Sequence, residues 1–388
     1  MNDTDVTAVV LAAGEGRRLE PLTNRRPKPM VPVANRPILE YVVSAIADAG
    51  IDRVVLVVGY QQERIRNHFG DGDDWGLDIE YVVQATQLGT AHAVLQAEDA
   101  VTGPFLVLNG DRLVDASLIA DVQRVLEQLG EPVMAVTRTD DASDYGVVSL
   151  DGDQVTTITE KPHDPAPTEL INAGVYGFAP SIFTAIRDTP TERGELALPT
   201  TLERIAADQP IQAVRYQGTW LDVSHLWDLL DVNAAMIDAA EDRDQPALDG
   251  AIASDTAIGD DVVLGPNATV EGGTALGANV TVEANAVLAN AVVFPDAVIE
   301  AGAVVRDAII ASNVRIGANT TIAGGATTVV VEGEVHDDVT LGGVVGDNAT
   351  VGSGVTVDPG SVIGDGATVA HGASVDGRIE PDAVVRRG

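Results

Sequence analysis

A basic stretch near the N-terminus contains the residues best suited to chemistry on phosphate groups. Residues 11–30 read LAAGEGRRLEPLTNRRPKPM, with five basic residues against two acidic ones, in a chain whose formal net charge is -36. A glycine-rich turn after a strand presents backbone N–H groups to phosphate, and cationic side chains add charge-assisted hydrogen bonds. The turn lacks the Gly-Lys-Ser/Thr of a P-loop, and Leu19 stands where a dinucleotide fingerprint needs its third glycine. The stretch therefore predicts a polyphosphate site of another kind.

Lysine is unusually rare in this chain. The chain has only Lys28 and Lys161, although Lys and Arg together number 23. Lysine is a compact point charge on a flexible stem, whereas arginine is a planar fork. In a chain that favours arginine, we expect the remaining lysines to stand where arginine cannot replace them.

The elements that must position these residues follow an alternating pattern. Over roughly the first 245 residues, short apolar runs that suit buried parallel strands alternate with segments of helical spacing. This alternation predicts an α/β doubly wound domain over residues 1–243. Ligands bind such sheets outside the carboxyl ends of the strands. We therefore expect the loops that begin at Ala12, Gln84 and Asn109 to lie at that edge.

The remainder of the chain has a period of six. Apolar residues recur every six positions from Ile258 to Leu288 and again from Val345 to Val375, around an irregular middle that contains Ile316 and Ile322. A period of six is typical of β-helix repeats, and small residues at the fifth position suit tight corners. The sequence predicts a linker over 244–250 and a β-helix domain over 251–388.

Composition restricts the possible partners. A sequence pI of about 4.2 disfavours nucleic acid and anionic membranes, both of which would be repelled. Hydrophobic residues make up 45% of the chain, so the charge indicates a folded protein with a carboxylate-rich surface, as in halophiles, rather than disorder. Cysteine is absent, which excludes disulfides and thiolate chemistry. Neither a signal peptide nor a run of 18 apolar residues is apparent, so we expect a cytoplasmic protein.

The stretch LAAGEGRRLEPLTNRRPKPMVPVANRPIL resembles the signature of the sugar-1-phosphate nucleotidyltransferases. This family joins an NTP to a sugar 1-phosphate and releases pyrophosphate. The resemblance continues through QATQLGTAHAV, NGD, DYGVVSLDGDQVTTITEKP, INAGVY and WLDVS. It implies a Rossmann-like domain that uses UTP or dTTP with Mg²⁺, similar to the N-acetylglucosamine-1-phosphate uridylyltransferases and the glucose-1-phosphate thymidylyltransferases. Ser224 stands where the family often has glycine.

The resemblance also implies a role for each matched residue. Arg18 would hold the departing pyrophosphate and Lys28 would bridge phosphates at the reacting centre, while Asp111 and Asp222 would bind Mg²⁺. Contacts to the nucleotide would come from Leu11, Ala12, Ala13, Gly14, Gly16, Gln84, Gly89, Thr90, Asn109 and Gly110. Contacts to the sugar phosphate would come from Gly146, Glu160, Lys161 and Asn172. Arg17, Arg25 and Arg26 receive no role.

The hexad region resembles the left-handed parallel β-helix of hexapeptide-repeat proteins, which is commonly trimeric. Joined to a transferase domain, it is similar to archaeal bifunctional relatives that also acetylate glucosamine 1-phosphate with acetyl-CoA. Two departures stand against that activity: Gly324-Gly325 replace the expected Asn-Tyr, and residues 306–317 contain no histidine to act as the base. His336 would be a substitute base, or else a solvated loop residue.

Three hypotheses follow from these patterns. The first is a nucleotidyltransferase whose β-helix serves assembly as a homotrimer. The second is a bifunctional nucleotidyltransferase and acetyltransferase. The third is a catalytically inactive regulatory or binding protein of the same fold, which would require the loss of Arg18, Lys28, Asp111 or Asp222, and all four are present.

Overall fold

The structure, a computed structural model, describes residues 6–130, 132–139, 142–162, 169–191, 194–240 and 249–387. The described residues form two compact units. Unit 1 takes those within Met1–Glu15, Pro27–Met30 and Ile38–Asp222, and unit 2 takes those within Gly16–Arg26, Val31–Pro37 and Val223–Gly388. The domain boundaries expected from the sequence stay a prediction, and residues 241–248, which include most of the expected linker, lie outside the described residues.

The helices and strands up to residue 240 belong mostly to unit 1, whereas strands Pro32–Val33 and Arg36–Pro37 and helix Leu226–Asp238 belong to unit 2. Helices α1 to α7 are Ile38–Asp48, Gln62–Phe69, Thr90–Gln96, Ala116–Leu129, Ile182–Arg187, Leu198–Asp208 and Leu226–Asp238. Strands β1 to β13 are Thr7–Ala12, Pro32–Val33, Arg36–Pro37, Arg53–Val58, Asp78–Val83, Phe105–Asn109, Arg112–Val114, Val133–Thr137, Gly146–Asp151, Gln154–Glu160, Leu170–Phe178, Ile211–Arg215 and Trp220–Asp222. Short 3-10 turns cover Arg17–Leu19, Lys28–Met30, Asp73–Trp75, Glu98–Ala100 and Ala142–Asp144. No helix of the described ranges is both long and apolar enough to span a membrane.

The main sheet of unit 1 confirms the predicted doubly wound fold. Within the described part of the chain it has nine strands in the order β5-β4-β1-β6-β11-β8-β12-β10-β9. Strands β5, β4, β1 and β6 run parallel. Ala8 and Val10 of β1 pack with α1 and α4 on one face, while Val9 packs with α3 and α6 on the other. Because both faces are buried there, β4, β1 and β6 are almost continuously apolar in sequence, whereas the edge strand β5 alternates.

The parallel strands fix the position of the predicted ligand edge. Strands β1, β5 and β6 end at Ala12, Val83 and Asn109 and run in one direction, so the loops that follow them leave the same edge of the sheet. A separate antiparallel ribbon of β7 and β13 pairs Arg112 with Asp222. The ribbon thus joins two parts of the chain that are 110 residues apart in sequence.

Unit 2 is a parallel β-helix, as the hexads predicted. Strands β14 to β34 are Gly250–Ile252, Thr256–Ile258, Val263–Leu264, Ala268–Val270, Thr274–Leu276, Thr281–Val282, Val287–Val293, Val298–Ile299, Val304–Ile310, Arg315–Ile316, Thr321–Ile322, Ala326–Val331, Glu334–Thr340, Gly343–Val345, Thr350–Val351, Thr356–Val357, Ser361–Ile363, Thr368–Val369, Ser374–Val375, Arg378–Ile379 and Val384–Val385. Apart from β25 and β26, these strands stack in parallel on three faces, so that three hexads complete one coil.

The corners of the coils explain the sequence of each hexad. Counted from the inward apolar residue, the fourth position of a hexad takes a left-handed backbone, as at Asn279 with φ 60° and Asp296 with φ 64°. Asn, Asp and Gly adopt this conformation most readily. The fifth position is buried, as at Ala297 and Ala367. The interior is a single column of apolar side chains. Buried residues of small or moderate size, such as alanine and valine, therefore follow these corner residues.

The irregular middle of the hexad region has two structural causes. Leu288 and Val293, like Val305 and Ile310, are successive inward residues only five positions apart, because β20 and β22 each continue through a corner. After Ile322 the chain leaves the coil as the antiparallel hairpin of β25 and β26 before it resumes at β27. The repeat therefore continues through the middle, with shortened steps and one insertion.

Segments from the first half of the chain also pack within unit 2. Backbone N–H of Ala34, in the turn between β2 and β3, donates to Asn233 of α7 at 2.9 Å. The amide of Asn35 donates to the carbonyls of Ala257 and Leu276 at 3.1 and 2.8 Å. Asn233 is fully buried and also donates to the Gly273 carbonyl. These polar contacts attach the hairpin and α7 to the coils.

Candidate functional site

The centre of the candidate site in unit 1 is an ammonium group between two carboxylates. Lys28 lies in a 3-10 turn, Asp111 follows β6, and Asp222 ends β13. The Nζ atom of Lys28 is 2.5 Å from Oδ2 of Asp111 and 3.6 Å from Oδ1 of Asp222. Asp222 is buried, whereas the Asp111 side chain keeps 27% of its surface accessible. The structure thus brings together three residues that are far apart in sequence.

Arg112 and Tyr145 complete this cluster. The Arg112 guanidinium forms an ion pair with Oδ2 of Asp222, and the Tyr145 hydroxyl donates to the same oxygen at 3.0 Å. The guanidinium also lies over the rings of Tyr145 and Trp220, at 5.1 and 5.2 Å from their centres. Neither residue has a role that the sequence motifs predicted. Their only signal was adjacency, because Arg112 directly follows NGD and Tyr145 directly precedes Gly146.

The charges of the cluster keep Asp111 ionised. Burial on its own would raise the pKa of this carboxyl, but the attraction of Lys28 and then of Arg112 outweighs burial and lowers the pKa to about 2. An ionised pair of carboxylates beside accessible space is a suitable oxygen donor set for a hard divalent cation. Among the described residues no group of three or more acidic or histidine side chains is placed to hold a metal ion, so further ligands would have to be substrate oxygens or water.

The predicted nucleotide turn lies against the end of β6. Backbone N–H of Gly110 donates to the Leu11 carbonyl at 3.0 Å. A Cβ at position 110 would stand 2.8 Å from that oxygen, so the approach requires glycine. Ala12 and Ala13 are buried, the Gln87 amide donates to the Ala13 carbonyl, and Gly14 is exposed. The turn is therefore held from two sides while its tip faces solvent.

In the expected base-recognition segment Gln84 is buried, whereas residues 85–88 are exposed. Gln84 has 5% exposure, and its amide donates to the Gly89 carbonyl at 3.1 Å and contacts Nδ1 of His92 at 2.9 Å. Thr90 accepts a hydrogen bond from backbone N–H of Leu198 at its hydroxyl, at 2.9 Å. Gln84 is thus oriented by its own segment, and His92 is a contact that the sequence analysis missed.

Three of the expected sugar-phosphate residues come from three adjacent strands, and the fourth, Lys161, directly follows β10 and is exposed. Gly146 of β9 pairs with Glu160 of β10, and a Cβ at position 146 would lie 3.0 Å from the Glu160 carboxylate. Burial raises the pKa of Glu160, and the neighbouring Lys161 and Arg112 oppose that rise. Asn172 of β11 donates to the Tyr176 hydroxyl at 2.7 Å. Because Gly146 has no side chain, one face of the Glu160 carboxylate stays uncovered at that point.

Gly16 and Arg18 belong to unit 2, unlike the residues above. Gly16, with φ 71°, begins the turn Arg17–Leu19, and its carbonyl accepts a hydrogen bond from the Thr23 hydroxyl at 2.9 Å. The Nε atom of Arg18 donates to Glu332, in the turn between β25 and β26, at 2.8 Å. The pair is solvent-exposed, so it would yield readily to a more highly charged anion.

His336 is not the solvated loop residue that one interpretation of the sequence predicted. It lies on β26, half-buried, with its ring centre 4.9 Å from that of His225 and 5.1 Å from that of Trp227. His225 and Trp227 are themselves stacked at 4.5 Å. His336 therefore packs in a ring cluster at the start of α7.

Comparison with known families agrees with the fold of both units. Residues 7–239 match the family model for nucleotidyl transferases, residues 249–345 match the GMPPB C-terminal domain, and residues 342–376 match the hexapeptide repeat of succinyl-transferase. Two solved chains share the fold over 61% of this chain: a protein described as a glucose-1-phosphate thymidylyltransferase from Bacillus anthracis, at TM-score 0.57 and 24% identity, and a UDP-glucose pyrophosphorylase, at 0.55 and 23%. They cover 98% and 99% of those chains.

Relatives of higher identity are archaeal. The bifunctional protein GlmU of Methanococcus maripaludis is 37% identical over 229 residues, which cover 58% of this chain and 53% of that protein. The chain thus spans about half the length of this relative. The UTP–glucose-1-phosphate uridylyltransferase AglF of Haloferax volcanii is 39% identical over 223 residues, 56% of this chain and 91% of that protein. The family model covers well over half of the sequence, and the chain therefore belongs to the nucleotidyl transferase family.

Proposed function

We propose that the chain is a Mg²⁺-dependent sugar-1-phosphate nucleotidyltransferase that joins UTP or dTTP to a sugar 1-phosphate and releases pyrophosphate. The observation that carries this proposal is the contact of the Lys28 ammonium with the carboxylates of Asp111 and Asp222, at 2.5 and 3.6 Å. Family membership and the names of the relatives, which include a uridylyltransferase for glucose 1-phosphate, support it.

Asp111 and Asp222 fit the role of metal ligands in the proposed reaction. Both carry oxygen donors, Asp111 stays ionised at neutral pH, and Lys28 already places one positive charge between them. When bound, Mg²⁺ would neutralise charge on the triphosphate and the sugar phosphate. Arg112, paired with Asp222, would hold that carboxylate in place.

The chain's own residues account for the remaining requirements. A sugar phosphate oxygen is already an anionic nucleophile, so no general base is needed. It attacks the α-phosphorus, a new P–O bond forms, and the bond to pyrophosphate breaks. Lys28 and Lys161 would offset the charge of the two polyanions, and Arg18 would receive the departing pyrophosphate. Alignment of the two substrates for in-line attack would supply much of the remaining rate enhancement.

The nucleotide and sugar sites are assigned on the same basis. The turn 11–14 with Gly110 would contact the nucleotide phosphates, and Gln84, Gly89 and Thr90 would contact a uracil or thymine edge. The open face beside Gly146, with Glu160 and Asn172, would take the sugar. Glu160 would accept hydrogen bonds from sugar hydroxyls.

A pyrophosphate-release panel tests this function. UTP, dTTP, ATP and GTP are each combined with glucose 1-phosphate, N-acetylglucosamine 1-phosphate and mannose 1-phosphate, in molar KCl with Mg²⁺. We expect release with UTP or dTTP, dependent on both substrates, and its abolition in Asp222→Asn. Release from NTP without a sugar phosphate would overturn the proposal, as would a complete absence of release.

We propose for the β-helix a role in assembly as a homotrimer, supported by its hexapeptide repeats. Light scattering after size exclusion should give three times the chain mass of 40.2 kDa. Acetyl transfer stays a prediction from resemblance, because the match to GlmU covers only 58% of this chain. Consumption of acetyl-CoA with glucosamine 1-phosphate in molar KCl would establish that activity, and its absence would remove it.

A further inference from the structure

Arg26, which had no role in the sequence analysis, lies in one of the most buried ion pairs of unit 2. Its Nη2 atom donates to both carboxylate oxygens of Asp347, at 2.7 and 2.9 Å, and its side chain is 9% exposed against 4% for Asp347. The guanidinium also lies 4.7 Å from the ring centre of Phe294, which is fully buried. Arg26 therefore contacts the repeats through charge, hydrogen bonds and an aromatic face.

The wall that contacts Arg26 consists of Ser312, Asp347 and Asp365, which occupy equivalent positions in consecutive coils. Ser312, Asp347 and Asp365 each stand two residues after an inward residue of the same face. Asp347 accepts a hydrogen bond from backbone N–H of Ser312 at 2.9 Å, and Asp365 accepts one from backbone N–H of Asp347 at 2.8 Å. The corresponding residue of the first coil, Asp260, is exposed. Buried carboxylates thus occur where residues 16–26 meet the coils.

A second contact anchors residues 16–26 to the coils, and internal bonds hold the segment together. The Asn24 amide donates to Asp365 at 2.9 Å. Within the segment, the Thr23 hydroxyl donates to the Gly16 carbonyl at 2.9 Å, and Leu19 and Leu22 are fully buried. A restraint at Arg26 is therefore transmitted to the turn that carries Arg18.

We propose that Arg26 is a positioning residue for the nucleotidyl transfer reaction. Its ion pair with Asp347 fixes segment 16–26, and with it the Arg18 guanidinium, so that the repeats set the affinity for pyrophosphate. This inference rests on the proposed function, in which Arg18 receives pyrophosphate. Two buried carboxylates without a cation would be strongly unfavourable, so the wall is complementary to this segment.

The test separates positioning from mere stability. The variants are Arg26→Met, Asp347→Asn and the two combined, with Asp260→Asn as a control that makes the same change at an exposed corner. Each single change at the ion pair leaves a buried charge without its partner, whereas the double change removes both charges. The double variant should therefore melt closer to wild type than either single variant.

Kinetics are measured in the reverse direction with inorganic pyrophosphate and the nucleotide sugar that wild type forms, and in the forward direction with sugar 1-phosphate. In the double variant the KM for pyrophosphate should rise about tenfold, as expected for a misplaced binding group, while the KM for sugar 1-phosphate stays within about twofold. The double variant should be no worse than the single ones, because all three remove one contact. Asp260→Asn should match wild type.

A double variant with wild-type KM for pyrophosphate would overturn the inference. So would a rise in both KM values together, or a defect that disappears when melting temperature recovers. If wild type itself shows neither pyrophosphate release nor its reverse, the proposed function fails instead. Active wild type with unaffected variants removes only the role of Arg26.

Discussion

At the scale of single residues, Lys28 combines low exposure with two carboxylate partners. It contacts two carboxylates, one of which is buried, and its own side chain is only 14% exposed. A surface ion pair would contribute little to stability or affinity. The low exposure and the two partners make this ammonium difficult to replace by water or by the larger guanidinium of arginine.

Lys28→Ala should abolish most pyrophosphate release while the chain stays folded. Loss of one charged group aimed at a transition state lowers turnover by about 10²- to 10³-fold, and Arg112 remains to pair with Asp222. Turnover is measured by coupled pyrophosphate detection, and folding by circular dichroism. Arg124→Ala, which removes an exposed cation from α4, should leave turnover unchanged. Near-normal release by the Lys28 variant would remove its assigned role.

Asp111 should give a defined pH dependence of stability. Its pKa falls from the ordinary 3.8 to about 2, because Lys28 and Arg112 outweigh the effect of burial. A carboxyl with a lowered pKa stabilises the fold above its ordinary pKa and loses that effect as pH falls through the folded value. In metal-free buffer, Asp111→Asn should lower the free energy of unfolding by about 2 kcal/mol near neutral pH.

The pH series provides the control for that prediction. Urea unfolding of wild type and Asp111→Asn is compared from about pH 6 down to about pH 2, and the difference should shrink below about pH 4. A gap that stays constant across this range would mean that the Lys28 contact does not depend on the charge of Asp111.

The sequence identified the central residues of this cluster better than their supporting contacts. Lys28 was identifiable because lysine is so rare in the chain, and Asp111 because it ends a buried strand run. Arg112 and Tyr145 escaped prediction because their roles depend on the β7–β13 ribbon, whose pairing joins distant segments. A local sequence pattern does not indicate a pairing between such distant segments.

At the scale of elements, β11 shows how one backbone irregularity shapes the site. The register with β8 shifts between Asn172 and Tyr176, and Gly174 within the shift has φ 77°. Its N–H donates to the Asn172 side chain at 3.0 Å. The shift thereby orients an amide that the proposed function assigns to the sugar.

Gly174→Ala should damage both stability and activity. An added Cβ would meet Nδ2 of Asn109 at 2.7 Å, at the end of β6, in addition to the unfavourable backbone conformation. Gly152→Ala is the matched control, because Gly152 has φ 62° but open space around it. The control should lose about 1 kcal/mol and keep its activity. Urea unfolding and pyrophosphate release would measure both, and equal effects of the two changes would contradict the steric argument.

The elements themselves were largely readable from the sequence. Alternating apolar runs and the period of six both reflect burial that repeats along the chain, so they predicted the sheet and the coils. The hairpin of β25 and β26 was not predicted, because its exposed valines, Val330 and Val335, resemble a disturbed hexad. The five-residue steps at Val293 and Ile310 were not predicted either. Where a long strand continues through a corner, the spacing of the inward residues shortens by one, and the amino-acid composition does not change.

At the scale of the whole molecule, charge is the dominant property. A formal net charge of -36 on 388 residues means that carboxylates repel one another across the surface. Screening shortens the range of this repulsion from about 10 Å at 0.1 M salt to about 3 Å at 1 M. Stability of the folded chain should therefore depend on salt.

The melting temperature should rise steadily with KCl, and structure should be lost at low salt. Circular dichroism from about 0.1 M to about 3 M KCl would follow this change. Sucrose of equal osmolality is the control, since it favours compact states without screening charge, and it should give a smaller rise. A melting temperature independent of KCl would contradict this account of the composition.

The central claim, that the chain transfers a nucleotidyl group to a sugar 1-phosphate, is tested most directly by stoichiometry. Wild type is incubated in molar KCl with Mg²⁺, UTP or dTTP and the preferred sugar 1-phosphate, and pyrophosphate and nucleotide sugar are both quantified. We predict one pyrophosphate for each nucleotide sugar, and neither product when the sugar phosphate is withheld. Pyrophosphate in excess of nucleotide sugar, or neither product with any substrate pair, would contradict the claim.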